Sequence, residues 1–275
     1  MTRRAPAAFH YSTANHRNNM SAHTDPLRQN ERAFFGNREV PAADKAGMVG
    51  EVFRSVASRY DLMNDLMSFG AHRLWKRFAA SQSALRRGDC ALDVAGGSGD
   101  MARRLARQVG ADGMVALADI NAAMLEVGRD KMIDAGLCGN IAYARCDAEK
   151  LCFADGAFDC VSIAFGLRNV TRMEDALASM RRVLRPGGRL LLLEFSKPLL
   201  PLLEKIYDRY SLSVIPALGG AVAGDEAAYR YLVESIRKHP DQEAMKEMML
   251  RVGFDEVRVH NLSGGIVALH IGWAY

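Results

Sequence analysis

Residues 92–100 read Leu92, Asp93, Val94, Ala95, Gly96, Gly97, Ser98, Gly99, Asp100: an apolar run reaches an acid, then breaks into three glycines within four positions. An Ala/Arg/Leu-rich stretch of helical spacing follows. This pattern predicts a strand, a tight turn and a helix. The glycines allow positive φ and let a ligand approach bare peptide groups. Gly97, Gly99 and Ala102 fit the G-x-G-x-x-G/A spacing that seats a pyrophosphate on a helix N-terminus. Two carboxylates, Asp93 and Asp100, are expected to face the same ligand, and like charge at close quarters disfavours an anion. A cation suits them better. S-adenosylmethionine carries an ammonium and a sulfonium, and its carboxylate can still use the N–H groups of the loop. Asp100 could instead be only an acid at a helix start, stabilised by the dipole. Asp93 sits in an otherwise apolar strand, where polar groups enter at a cost.

Further chemistry gathers at the ends of the following strands, where open α/β sheets bind ligands. Asp119 lies 20 residues after Gly99, a position from which a carboxylate can accept both ribose hydroxyls. Asp147 and Ala148 are placed to meet an adenine edge. Phe165, Gly166, Leu167, Arg168 and Asn169 follow the next strand. An Asn/Asp-Pro-Pro-aromatic turn would suit methylation of an amino group, but the chain has no Pro-Pro, and the nucleophilic Cys that cytosine-ring methylation would require here is also missing. A cation and an amide suit an oxygen that gains negative charge, such as a phenol whose ring carbon becomes the nucleophile. Arg168, with a pKa above about 12, reads as an oxyanion stabiliser rather than a base. Its alternative is a structural pairing with an acid.

These residues need a scaffold, and alternating strands and helices supply it. The predicted strands are Met114–Ile120, Ile141–Cys146, Phe158–Phe165 and the leucine-rich Arg189–Phe195. Asn121 is a helix N-cap, and Thr171 to Glu174 reads as a capping box. The alternation implies a parallel sheet between helix layers. A closing hairpin, Glu256–Leu262 and Ile266–Ala274, turns at Ser263, Gly264 and Gly265. Upstream, Val49, Val52, Phe53, Val56 and Tyr60 recur at helical spacing from Asp44 onward. Residues 60–75, rich in aromatic and hydrogen-bonding side chains, suit either a lid or a packed helical cap. Residues 197–252 break the rhythm and read as a helical cover, either for a greasy substrate or for the core.

Composition narrows the classes. The 275 residues, 49% hydrophobic, support one domain with extensions. The 36 basic and 32 acidic residues leave +4, too little to make nucleic acid the expected partner. Five cysteines without a CxxC pair support neither a disulfide framework nor a zinc site, and a reduced compartment follows. No apolar run approaches the roughly 20 residues of a membrane span. Residues 1–24 hold three arginines and no acid, a composition that does not build a core and makes a poor transit peptide; Met20 is an alternative start. The expected organisation is a poorly ordered tail over 1–43 and one domain over 44–275, with a helical lid over 44–84 and the cover over 197–252.

Two long stretches carry a specific resemblance. Tyr60-Asp61-x-Met63-Asn64-x-x-Met67-Ser68-x-x-x-His72-x-x-Trp75 is the first. Arg182-Val183-Leu184-Arg185-Pro186-Gly187-Gly188-x-Leu190-x-x-Leu193-Glu194-x-Ser196 is the second. With Ala95–Asp100 and Phe165–Val170, they resemble the UbiE family of ubiquinone/menaquinone biosynthesis C-methyltransferases from about Asp44 to the C-terminus. The resemblance implies a class I, Rossmann-like α/β methyltransferase fold with a seven-stranded, mostly parallel sheet, an antiparallel last strand and helical caps. It implies S-adenosyl-L-methionine as donor, contacted by Ser98, Asp119, Asp147 with Ala148, and the position held by Ala164; Asp93, Gly97 and Gly99 complete the expected donor site. Ser98 stands where Thr is usual, Asp147 where Asn is common, and Ala164 where Ser is frequent. The acceptor implied is a polyprenyl benzoquinol or demethylmenaquinol methylated on a ring carbon, without a metal. Arg168 and Tyr60 are then the expected acceptor-side pair, with Asn169 beside them and Tyr60, Asp61 or His72 taking the proton. Bacterial cytoplasm is the expected compartment. A peripheral membrane contact, a quinone-synthesis complex and a homodimer are partners the resemblance leaves open. Two rivals stand beside this reading: a nicotinamide oxidoreductase, which fits the glycine spacing but not the acid pair, and a non-catalytic member of a quinone-synthesis assembly.

Overall fold

The computed structural model describes residues 31–56, 64–65, 68, 70–199, 201 and 226–275. Seven of the described strands form one sheet: β3 (Cys90–Val94), β4 (Met114–Asp119), β5 (Ile141–Arg145), β6 (Phe158–Ala164), β7 (Leu184–Phe195), β8 (Glu256–Leu262) and β9 (Val267–Ala274). Their order is β5-β4-β3-β6-β7-β9-β8. β3 to β7 run parallel, while β9, last in the chain, inserts antiparallel between β7 and β8. The chain direction of the winding reverses between β3 and β6, which opens the crevice for a ligand beyond the carboxyl ends of the strands.

The leucine run of β7 shows why the sheet lies between two layers. Leu191 and Leu193 enter one apolar cluster with Trp75, Leu105 and Leu269, and Leu190 and Leu192 enter the other with Leu177 and Met245. A two-residue period sends successive side chains to opposite faces, so a strand covered on both sides is apolar throughout. Helices α2 (His72–Ser81), α3 (Asp100–Val109), α4 (Ala122–Asp134), α5 (Met173–Val183), α6 (Glu226–Lys238) and α7 (Gln242–Arg251) provide the cover.

Three expectations need correction. Order begins well before residue 44: a hairpin of β1 (Arg32–Phe35) and β2 (Arg38–Pro41) leads directly into α1 (Ala42–Val56). The short strands bury Ala33 and Val40, and tail-like composition does not reveal a hairpin whose partner surface lies on a distant helix. Thr171 does not cap α5; Arg172 holds the N-cap position without a side-chain cap bond. Glu149 instead anchors the approach to the helix, its Oε1 accepting from Thr171 N at 3.1 Å and Arg172 N at 2.9 Å. Finally, β7 begins at Leu184, which pairs with Phe158; the ladder breaks over residues 185–187 and resumes with Gly188 opposite Ala274 and Arg189 opposite Cys160. Asn121 does cap α4, accepting from Ala123 N at 3.0 Å. Much of the 60–75 stretch and residues 202–225 of the expected cover lie outside the described residues. Among those described, no helix is long and apolar enough to cross a membrane.

Candidate active site

The glycine loop is held open by strain and close packing. Ala95 takes φ +48°, Gly97 +54° and Gly99 +81°, conformations in which glycine carries no Cβ penalty and alanine does. Beneath the loop Asp93 is 1% exposed, and its Oδ2 accepts from Ala102 N at 3.0 Å while Oδ1 accepts from Ser162 Oγ at 2.7 Å. Asp93 is therefore a brace between β3, β6 and the start of α3, not a wall of the cleft, which corrects its expected contact with the donor. Burial pushes its carboxyl up to about 7, against the pull of the Ser162 and Ala102 hydrogen bonds. Asp100 also turns away. Burial drives its carboxyl upward, but Lys76, with Nζ at 3.2 Å, and Arg104 and Arg103 outweigh that and hold it below the usual range.

The crevice itself, about 820 Å³, opens over the carboxyl ends of β3, β4, β5 and β6. Gly97, Asp119, Asp147, Ala148 and Asn169 line it, as do Ala46, Val49, Gly50 and Phe53 of α1, residues within the lid expected over 44–84. Helix α1 is pinned across the opening by Lys45, whose buried Nζ donates to Val170 O at 2.9 Å, and by Asn121 Nδ2 donating to Gly50 O at 3.4 Å. Asp119 organises the floor. Its Oδ2 accepts from Gly97 N and its Oδ1 from Asn121 N, both at 2.9 Å, which leaves lone pairs for further donors. Burial raises the Asp119 carboxyl, with the N–H groups of Asn121, Gly97 and Ile120 pulling the other way.

The charged side chains lining the crevice, among the described residues, are all acidic: Asp119, Asp147 and Glu149. The expected acid pair thus has different members. Ser98 is buried and borders a separate depression shared with Asp100 and Arg103; Gly99 is the left-handed N-cap of α3. Neither is a wall residue of the crevice. Ala164 ends β6 packed on the core, and the next residue, Phe165, held at φ +61°, is the one that reaches the crevice.

On the acceptor side, Arg168 and Asn169 lie on a 3₁₀ turn, Leu167–Asn169. Arg168 is not a free donor. Its Nη1 donates to Glu194 Oε1 and to Phe165 O, both at 2.6 Å, and its guanidinium lies 5.5 Å from the Phe195 ring centroid. The pairing with an acid prevails because a cation this deeply buried needs a counter-charge. Glu194 could have been found from sequence: an acid inside a run of leucines demands a cationic partner. His72 is buried too, its Nδ1 3.0 Å from Ser68 Oγ. Burial, then Lys76, lowers its pKa, so it stays neutral and is no wall residue of the crevice. Tyr60 and Asp61 lie outside the described residues.

A glycine-bordered crevice with an acid after the second strand of a reversed parallel sheet narrows the chain to nucleoside-binding enzymes. The sequence comparison decides among them: residues 41–274 match the model of the ubiE/COQ5 methyltransferase family.

The chain belongs to the ubiE/COQ5 methyltransferase family.

Relatives named ubiquinone/menaquinone biosynthesis C-methyltransferase UbiE include that of Pseudomonas paraeruginosa, 60% identical over 86% of this chain and 93% of its own. Those of Stutzerimonas stutzeri and Francisella tularensis subsp. novicida are 58% and 55% identical, each over 90% of this chain and 98% and 99% of their own. In fold, a SAM-dependent methyltransferase from Aquifex aeolicus covers 78% of this chain and 98% of its own with a TM-score of 0.55 at 17% identity. A putative methyltransferase of Haloferax volcanii, solved with its Trm112 activator, gives 0.60 at 15% identity over 81% of this chain and 97% of its own. For a ubiE/COQ5 family member, the all-acidic crevice is the informative feature. Acids suit a cationic ligand and oppose a pyrophosphate.

Proposed function

We propose that this chain transfers a methyl group from S-adenosyl-L-methionine to a ring carbon of a prenylated quinol, a benzoquinol or demethylmenaquinol, in ubiquinone/menaquinone biosynthesis. The crevice with only acidic charges, Asp119 at its floor and Asn169 at its wall, carries this reading. The donor, when bound, supplies a methyl on a positively charged sulfur that leaves as a neutral thioether. Asp119 accepts from ribose hydroxyls, Gly97 exposes backbone, and Asp147 with Ala148 borders the base; Phe53 and Val49 of α1 exclude water.

On the acceptor side, the ring carbon is nucleophilic once the adjacent phenol has lost its proton. Electrons flow from the phenolate through the ring into the new C–C bond, and the ring C–H proton then leaves to restore aromaticity. Asn169 offers hydrogen bonds to the oxygen that carries the charge. Arg168, its charge met by Glu194, holds the turn that carries Asn169. Tyr60 stays assigned to the acceptor side by the family motif. Holding carbon and methyl in line is worth up to about 7–11 kcal/mol, and the rigid crevice provides that alignment. An acceptor with an apolar prenyl tail supports a reaction at the cytoplasmic face of a membrane.

Two measurements test the reading. Calorimetry should give heat for adenosylhomocysteine and none for NADH; the reverse would overturn the donor assignment. Mass spectrometry of the quinone pool in cells lacking this chain should show a demethyl precursor, and an unchanged pool would overturn the acceptor assignment.

A further inference from the structure

Tyr231 lies on α6, outside the crevice wall and 4% exposed, yet its hydroxyl donates to Asn169 Oδ1 at 2.9 Å. Its ring stacks on Phe35 of β1 with centroids 4.3 Å apart and planes at 21°. Two elements far from the glycine loop therefore converge on one amide at the crevice. We infer that Tyr231 is the positioning residue of the methyl acceptor: by occupying the Asn169 carbonyl oxygen, it leaves only N–H donors facing the crevice, and so selects an acceptor that presents an oxygen lone pair beside the carbon to be methylated.

A side-chain amide carries a carbonyl that accepts and an NH₂ that donates, and nothing in its shape favours one orientation over the flipped one. The hydrogen bonds around it decide. A buried hydroxyl needs an acceptor for its proton, and the Asn169 carbonyl is the acceptor that Tyr231 has among the described residues. Burial pushes the Tyr231 phenol up from its ordinary range, with Arg168 pulling it slightly back, so the group remains a donor at any working pH. The flipped amide would set a carbonyl oxygen against a developing phenolate. The stack on Phe35 and the packing of α6 on the 3₁₀ turn prevent the ring from following a rotating amide. The hairpin of β1 and β2 is thereby part of the acceptor-side scaffold.

This inference rests on the assignment of Asn169 to the acceptor side, and the test separates the two. Tyr231→Phe keeps the ring and its stack and removes only the hydroxyl. In the full-length enzyme, with S-adenosylmethionine and a short-chain demethylmenaquinol, kcat should fall about tenfold, the loss of one well-placed hydrogen bond. Affinity for adenosylhomocysteine should be unchanged. Asn169→Ala should fall further, and Tyr231→Phe/Asn169→Ala should equal Asn169→Ala alone, since an absent amide needs no orientation. Wild-type turnover in Tyr231→Phe, or an effect that adds in full to that of Asn169→Ala, overturns the positioning role. Wild-type turnover in Asn169→Ala overturns the acceptor-side assignment itself.

Discussion

Arg168 and Glu194 form a closed ion pair, Nη1 to Oε1 at 2.6 Å, with each side chain only 2% exposed. Glu194 Oε1 also accepts from Phe195 N at 2.9 Å, so the pair is tied into the end of β7. Removing one partner strands the other charge in the core. Glu194→Ala should cost about 3–5 kcal/mol of stability in urea unfolding, whereas Arg168→Met/Glu194→Leu should cost much less. Equal losses in the two variants would contradict a compensated buried pair. Arg168→Ala should depress turnover and leave adenosylhomocysteine affinity intact; unchanged turnover would remove Arg168 from the acceptor side.

Asp119, at the floor of the crevice, is the charged acceptor of the proposed donor site. Asp119→Ala should weaken adenosylhomocysteine binding by about 1.5–3 kcal/mol, the range for hydrogen bonds to charged groups. Its carboxyl is raised by burial, so affinity should decline on acidification from a higher pH than an ordinary carboxylate would give. Calorimetry across pH checks this, and Asp119→Asn should flatten the profile. A wild-type pH profile in Asp119→Asn would show that another group titrates.

Gly128 is not itself a wall residue of the crevice but supports the loop from behind. A Cβ there would stand 2.8 Å from Gly97 O and 2.9 Å from Leu117 Cδ2. Gly128→Ala should therefore push α4 away from the glycine loop and weaken adenosylhomocysteine binding with no ligand contact removed. The cost in stability should be about 1–3 kcal/mol, as for other overpacked sites. Unaltered binding and melting temperature would mean that the helix yields freely.

Three buried histidines, His72, His239 and His270, are lowered by burial and contribute to the acid limb of stability. Burial lowers His239 to about 4, with Glu194 opposing and Arg168 and His270 assisting, and burial lowers His270 as well. The unfolded chain binds protons on these groups below about pH 6.5, while folded His239 refuses one until about pH 4. Stability is therefore fully present above about 6.5 and is lost as pH falls toward 4. His239→Phe should flatten that limb in chemical denaturation at pH 5 relative to pH 7. A slope equal to wild type would assign the acid loss to other groups.

The legible parts of the molecule share a cause. From β3 to β7, strand and helix signals come from neighbouring residues: the glycine break after Val94, the Asn121 cap and the two-faced leucines of β7. Glu149 and Thr171 show the opposite case. The Thr171–Glu174 spacing imitates a capping box, but the Thr171 N–H that Glu174 would take goes to Glu149, 22 positions away. Local pattern loses to a partner that only folding supplies. The hairpin from Arg32 to Pro41 stayed hidden for the same reason, since Phe35 is explained by Tyr231.

By itself the sequence determined the alternation of strand and helix from β3 to β7 and the parallel sheet it implies. Two long motifs carried the family resemblance, and that resemblance implied the antiparallel last strand. Spacing and motif survive without coordinates. Only the tertiary structure decided which acids line the crevice, that Asp93 braces the loop from below, which residues of α1 form the crevice wall, and that Arg168 pairs with Glu194. Arg168 and Glu194 are 26 positions apart, Asn169 and Tyr231 are 62. Whether a charge meets solvent, ligand or counter-charge depends on what packs against it, and packing joins residues that spacing keeps apart.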